Sequence, residues 1–309
     1  MKPAASIVVF TTLSGAGYGL LFWLALLRPV GAVPHSAWFG VPVLLVALLL
    51  ISVGLLSSVA HLGRPERAWR ALSQWRSSWL SREGVAAVAT FPPAILFGLS
   101  MLAGREGLAV FFGLLAAGGA VATVWCTGMI YASLKPIREW HLPLVAPGYL
   151  VFGAFTGAAL LAAAAALADG GRAALLLAAL LAAAGLIVKR AVWAQATAAP
   201  ASPSTGSLTG LGARVTVRPL DPPNTETAYL MREMGFRVAR AHAAKLRRIA
   251  VGLGFVAPAA AFVAAALAGG VAAGVLAPLA ALAALAGMLV ERWLFFAEAT
   301  HTVATYYRG

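Results

Sequence analysis

The sequence predicts an all-α membrane protein, a bundle of eight transmembrane helices with one long basic cytoplasmic loop. Of the 309 residues, 61% are hydrophobic and only 11% are charged, whereas soluble domains have about 45–50% apolar and about 25% charged residues. Runs without any charged side chain recur along the chain, and most are long enough for a helix of about 20 residues to cross the hydrocarbon core. The same composition excludes intrinsic disorder, which requires polar, charge-rich segments.

Charge-free runs define the first six spans. The sixth run is short, but Lys189 and Arg190 can extend their charged groups toward the headgroups while Trp193 lies at the interface, which lengthens the span. We place these spans at residues 4–27, 37–62, 84–104, 107–134, 142–168 and 172–193.

The last apolar segment, from Ile249 to Val290, contains no charged residue. One continuous helix of that length would measure about 63 Å, roughly twice the thickness of the hydrocarbon core. Gly269 and Gly270 mark the natural break, so we expect a tight hairpin of two spans at 249–268 and 271–297. We interpret residues 1–309 as a single integral membrane domain.

Only one connection is long, and it covers residues 194–248. It begins with a stretch rich in Pro, Ser, Thr and Gly, and it ends in a basic segment in which Leu230, Met234 and Val238 share one helical face. This segment is either an amphipathic helix that lies on lipid headgroups or a docking surface for a soluble partner protein. A connection of this length without structure of its own is uncommon unless it is functional.

The basic residues are distributed unequally between the two sides of the predicted bundle. Twenty of the 23 Lys and Arg residues lie on the side that carries both termini, which leaves Arg28, Arg105 and Arg172 on the other side. The positive-inside rule therefore predicts that both termini lie in the cytoplasm. We expect the chain in the cell's inner (cytoplasmic) membrane. Topology and lipid headgroups explain the net charge of +13, so we expect no nucleic-acid partner.

The connection between the second and third spans, from His61 to Gly84, is the most unusual segment. His61 ends one span and Glu83 begins the next, so both lie near headgroup depth on the same side. A histidine can hydrogen-bond a quinone oxygen or exchange its proton near neutral pH, and a carboxyl group is the second proton carrier that such chemistry needs. Arg64 is the nearest of five arginines that can hold an anion, lipid phosphates or a partner. The alternative is that His61 is an interfacial residue and Glu83 a solvated partner of Arg82.

Glu291 and Arg292 interrupt the last span near its cytoplasmic end. They are either an interfacial pair or, if the helix continues beyond them, a buried part of a proton path. No span carries a histidine at mid-depth, so we expect no haem, which needs facing imidazoles. The single cysteine, Cys126, excludes an iron–sulfur cluster held by this chain alone, and we expect no metal site.

The motifs HLGRPERAWRAL and SSWLSREG around the second connection resemble the anchor subunit of the dimethyl sulfoxide reductase family, the DmsC type. Further matches are FTTLSGAGYG, YASLKPIREWHLPLVAPGYL and ERWLFFAEATHTV. The resemblance implies an anchor for a catalytic subunit with molybdenum (bis-molybdopterin guanine dinucleotide) and for an iron–sulfur subunit, with all these cofactors in the partners. It also implies that the chain is not catalytic alone, and that His61 and Glu83 are the quinone-linked histidine and acidic residue.

The tail and the basic loop are most similar to the branch associated with sulfite dehydrogenases. In that branch electrons flow from sulfite into quinone, and in the reductase branch they flow from quinol to a sulfoxide or N-oxide. The resemblance thus implies a quinone-binding anchor, with menaquinone or ubiquinone, and leaves the direction open. One alternative is a polytopic transporter, but this sequence lacks the cluster of charged residues that a transporter is expected to carry at mid-membrane. The other alternative is a purely structural anchor without a quinone site.

Overall fold

The computed structural model describes residues 3–59, 64–198, 205–212, 215, 217 and 238–302. Within these ranges the chain forms helices and no β-strand, apart from a bridge between Ile137 and His301. Eight helices are long and apolar enough to cross a membrane, which confirms the predicted all-α, eight-helix membrane fold. Most of the long basic connection, including Leu230 and Met234, lies outside the described residues and stays a prediction.

The eight helices are labelled α1 to α8 in chain order. The seventh consists of three consecutive segments, Val238–Val251, the π-helical turn Gly252–Val256 and Ala257–Ala268, which we treat together as α7. The other helices are α1 Ala5–Leu27, α2 Ala37–Val59, α3 Trp79–Leu102, α4 Glu106–Ala132, α5 Val145–Leu167, α6 Arg172–Ala198 and α8 Gly270–Ala297.

Two helix boundaries bear on the site. The third helix begins at Trp79 rather than at residue 84, because Ser78 caps it by accepting a hydrogen bond from the backbone N–H of Ser81 at 3.4 Å. Glu83 therefore lies in the second turn of α3 and not at its start. The break predicted at Gly269 and Gly270 is confirmed, since both residues have positive φ angles, +66° and +50°, which glycine adopts without strain.

The two central helices of the bundle are α1 and α5. In their most apolar windows 67% of the residues are buried, against 33% to 39% in the other six helices. Helix α1 contacts α2, α4, α5 and α8, and α5 contacts α1, α4, α6 and α8.

Glycines allow the central pair to approach closely. Gly15 and Gly19 of α1 face Gly153 and Gly157 of α5, so that the two backbones touch without intervening side chains. Small residues spaced four apart are the usual means by which membrane helices pack, because lipid gives no hydrophobic driving force between helices.

The helix ends define two faces of the bundle. We call the face at which α1, α3, α5 and α7 begin and α2, α4, α6 and α8 end the terminal face. On the opposite face, Arg28 at the end of α1 forms a two-pronged ion pair with Glu106 at the start of α4, at 2.7 and 2.9 Å. Arg28 also donates to the carbonyl of His35 at 2.6 Å, so this arginine is a buried structural residue and not a loop charge.

Candidate functional site

Glu83 is buried near the terminal face, with 4% of its surface exposed. The hydroxyl of Thr127 on α4 donates a hydrogen bond to its Oε1 atom. Among the described residues, no lysine, arginine or histidine forms an ion pair with this carboxyl group. Ionisable residues inside a membrane protein are costly and are therefore linked to function by default.

Arg82 does not form an ion pair with Glu83. The alternative that Glu83 is a solvated partner of Arg82 is therefore wrong. Its guanidinium turns away from the bundle and donates to the carbonyls of Trp75 at 3.0 Å and Arg76 at 2.7 Å. It also stacks over the ring of Trp79, 4.3 Å from the centroid. These contacts hold the second connection against the start of α3 and leave the Glu83 carboxyl group to the bundle interior.

The second connection covers the start of α3. Its main element is a 3₁₀ helix, Pro65–Gln74, which packs on that helix. The hydroxyl of Ser81 donates to the carbonyl of Ala71, and the side chain of Leu72 lies against Gly84. The connection is therefore a folded cover next to Glu83 and not a passive turn.

The other predicted quinone residues are not joined to Glu83 by described contacts. Arg64 lies exposed at the start of the 3₁₀ helix, where its carbonyl accepts a hydrogen bond from Arg67 at 3.0 Å. No hydrogen bond or ion pair connects Arg64 with Glu83 in the part of the chain that the structure describes. His61 lies outside the described residues, so its pairing with Glu83 stays a prediction.

A second buried polar group lies between α6 and α8. Lys189 Nζ is 2.5 Å from Glu291 Oε1, and Arg292 Nε donates to Glu291 Oε2. Glu291 is 0% exposed, and Lys189 and Arg292 are each 3% exposed. We call these three residues the buried triad.

The buried triad corrects two expectations from the sequence. Lys189 does not extend toward the headgroups, because the Glu291 carboxylate draws its ammonium group into the bundle. Glu291 and Arg292 are not an interfacial pair, since α8 continues for several residues beyond them to Ala297. Their role in a proton path stays a proposal.

A small cavity lined by hydroxyl groups lies between the two polar groups. Its volume is about 20 Å³, and residues of α1, α4, α5 and α8 line it. Its lining includes Thr127, which binds Glu83, and Arg292 of the buried triad. The other lining residues are Thr11, Thr12, Ser14, Gly15, Val124, Tyr149, Phe152, Gly153, Thr156 and Met288.

Sequence reasoning missed the hydroxyl-lined cavity. The signal was present, because Thr11, Thr12 and Ser14 interrupt an otherwise apolar first span. Their distance from Thr127 and Arg292 along the chain hid the connection. The hydroxyl of Thr12 and that of Tyr149 are buried without a hydrogen-bond partner among the described residues. Buried hydroxyls of this kind are usually satisfied by water.

Comparisons with known proteins agree on the kind of protein. A family model described as DMSO reductase anchor subunit (DmsC) matches residues 1–297. A sulfite dehydrogenase subunit of Allochromatium vinosum is 37% identical over 180 residues, which are 52% of this chain and 54% of that protein. The aligned region thus spans about half the length of that relative.

Proposed function

Because the chain belongs to the DMSO reductase anchor subunit (DmsC) family, we propose that it is the membrane anchor and quinone-binding subunit of a molybdopterin oxidoreductase complex. In this complex an iron–sulfur protein links the anchor with the catalytic subunit, and both bind at the terminal face. The anchor passes electrons between the iron–sulfur subunit and the quinone pool of the membrane, with menaquinone or ubiquinone as substrate. It carries no molybdenum, iron–sulfur cluster or haem of its own.

One observation carries this proposal: Glu83 is buried within the bundle close to the terminal face without an ion pair among the residues described. Conversion of a quinone to a quinol takes up two electrons and two protons, so the site needs a proton carrier that is shielded from bulk water. Glu83 fits this need, since Thr127 orients one carboxyl oxygen and leaves the other available for a proton. A protonated Glu83 carboxyl group and the imidazole of the predicted partner His61 are hydrogen-bond donors that suit a quinone carbonyl.

Each residue of the proposed site has a separate task. Glu83 exchanges a proton with the substrate, and Thr127 fixes the orientation of the Glu83 carboxyl group. His61 hydrogen-bonds a quinone oxygen and exchanges a proton near neutral pH. Arg64 stabilises negative charge on the substrate at the surface of the bundle, as a guanidinium stays charged at all working pH values.

The similarity to a protein named as part of a sulfite dehydrogenase favours the sulfite branch of the family. We therefore propose that electrons flow from sulfite, through the partner subunits, into quinone. The alternative is the reductase direction, in which electrons flow from quinol to a sulfoxide or N-oxide. Kinetic assays with each pair of substrates distinguish the two directions.

The composition of the native complex tests this function directly. The tagged chain is extracted in mild detergent, and the co-purifying proteins are identified by mass spectrometry. We expect an iron–sulfur subunit and a molybdopterin subunit in stoichiometric amounts, quinone-linked sulfite oxidation, and no haem Soret band from the anchor. A chain that purifies alone, or with neither of these partners, contradicts the proposal. A complete complex without any response to quinone indicates a purely structural anchor.

The charge asymmetry predicts the orientation of the bundle. The positive-inside rule places both termini, and with them the terminal face, in the cytoplasm of the cell. We expect a green fluorescent protein fused to the C-terminus to fluoresce and an alkaline phosphatase fused there to be inactive. A fusion at Gly170, between α5 and α6, serves as the control with the opposite pattern. Phosphatase activity at the C-terminus, without activity at Gly170, would reverse the orientation.

A further inference from the structure

We propose that a buried chain of polar groups, from a charged pocket on the terminal face through the buried triad and the hydroxyl-lined cavity, carries protons to and from Glu83. The inference rests on the proposed quinone function of Glu83 and adds to it the route by which protons reach that residue. The observation behind it is a row of three cavities, in which each cavity shares lining residues with the next.

The route begins in a charged pocket of about 190 Å³ on the terminal face. The pocket lies between α6, α7, α8 and the connection from α4 to α5. Its polar lining residues are Arg138, Glu139, Lys189, Trp193, Thr197, Arg247 and Glu298. Arg247 and Glu298 form an ion pair at 2.8 Å, and both remain partly exposed. Water and protons therefore have access to the pocket from the terminal face.

Lys189 connects this pocket with the interior. Its side chain lines the charged pocket and also a smaller cavity of about 10 Å³ that includes Glu291, Arg292 and Tyr149. Lys189 Nζ and Glu291 Oε1 are in direct contact, so that in the proposed route a proton passes between the amine and the carboxyl group without an intervening water molecule. Arg292 stays charged and therefore acts as a positioning residue, which keeps Glu291 in place and does not itself transfer a proton.

Tyr149 connects the smaller cavity with the hydroxyl-lined cavity. Tyr149, Phe152 and Arg292 line both spaces. The guanidinium of Arg292 lies over the Tyr149 ring, 4.3 Å from its centroid. This stacking holds the ring of a residue that lines both cavities.

The hydroxyl-lined cavity completes the connection. Its volume of about 20 Å³ exceeds the roughly 10–15 Å³ that one water molecule needs. Thr12 and Tyr149 line it, and both hydroxyl groups are buried without a hydrogen bond of good geometry among the described residues. In the proposed route, a water molecule in this cavity bridges the two hydroxyl groups. Thr127 lines the same cavity and donates to Glu83, which is the end of the route.

The transfers along this route balance without another reactant. Each hydroxyl group or water molecule accepts one proton and releases another, so the protein is unchanged after a proton has passed. Two such passages supply the two protons that a quinone takes up together with two electrons from the partner subunits. At the terminal face, the 3₁₀ helix of the second connection packs on the start of α3, with Leu72 against Gly84.

The purified complex tests the route through two conservative variants. Tyr149→Phe and Thr12→Val each remove one hydroxyl group and keep the side chain's size. We expect each to slow quinone-linked turnover by about fivefold or more and to increase the ratio of rates in H₂O and D₂O. The matched control is Tyr131→Phe, because Tyr131 is buried and stacks on Tyr149 with 5.6 Å between ring centroids but lines none of the three cavities.

Two further measurements separate the possible outcomes. Activity with an artificial electron carrier that bypasses quinone should be normal in all variants, which shows that assembly and the partner cofactors are intact. Normal quinone-linked rates and isotope ratios in both Tyr149→Phe and Thr12→Val overturn the route but not the quinone site. A wild-type complex without quinone-linked turnover overturns the proposed function and the route together. Equal losses in the Tyr131→Phe control also overturn the route, because they indicate a packing effect.

Discussion

Replacing Glu83 with glutamine is expected to slow quinone-linked turnover by about 100-fold or more, the usual contribution of a positioned proton carrier. Glutamine keeps the size and can still accept a hydrogen bond from Thr127, but it has no exchangeable carboxyl proton. The bundle should therefore assemble as before. The measurement is the steady-state rate with a soluble quinone analogue, made on the purified complex alongside the rate with an artificial electron carrier.

A matched control comes from the same connection. Glu66 is exposed at the start of the 3₁₀ helix, and its described ion pair is a long one with Arg67, at 3.9 Å, so Glu66→Gln should leave both rates unchanged.

His61→Ala should be as slow as Glu83→Gln, and the double variant should be little slower than either, because the two groups act on one proton-coupled step. Normal quinone-linked rates in both single variants would reject this site. The search would then move to Arg64 and Glu291.

Replacing Gly19 with leucine is expected to prevent assembly of the bundle. A Cβ atom at this position would overlap the backbone carbonyl of Gly153 on α5, and backbone atoms cannot move aside as a flexible side chain does. The cost should exceed the roughly 1–3 kcal/mol typical of overpacking, since α1 and α5 form the centre of the bundle. The expected result is a chain that is degraded or elutes as an aggregate in detergent size-exclusion chromatography.

The control for this prediction is Gly118→Leu on α4, where an added Cβ atom meets no atom within 4 Å. It adds the same apolar volume to an exposed face and should leave the elution profile unchanged. Gly157→Leu should reproduce the loss from the other side of the contact. Normal elution of Gly19→Leu would show that the two central helices do not pack through these glycines.

Much of the fold could be predicted because a membrane span needs only local information. A helix in lipid satisfies its own backbone, so length and lack of charge suffice to identify it. The positive φ angles at Gly269 and Gly270 agree with the break that sequence length alone required. The start of α3 at Trp79 could not be predicted in this way. Arg82 and Glu83 lie inside the helix, so the charge-free run begins only after them. Tertiary contacts turn one of these charges outward and bury the other.

The sequence by itself determined the class of protein and the eight spans, and it singled out Glu83 as a candidate site residue. Only the tertiary structure decided that Lys189 meets Glu291 across 102 residues, and that hydroxyls of α1 line one cavity with Thr127 and Arg292. The physical reason is the solvent. In water the apolar stripe of a helix shows which face is buried, whereas a helix that is apolar on every side fits lipid and bundle equally well. Rotation about each helix axis, and with it every polar contact inside the bundle, is therefore set by close packing between helices.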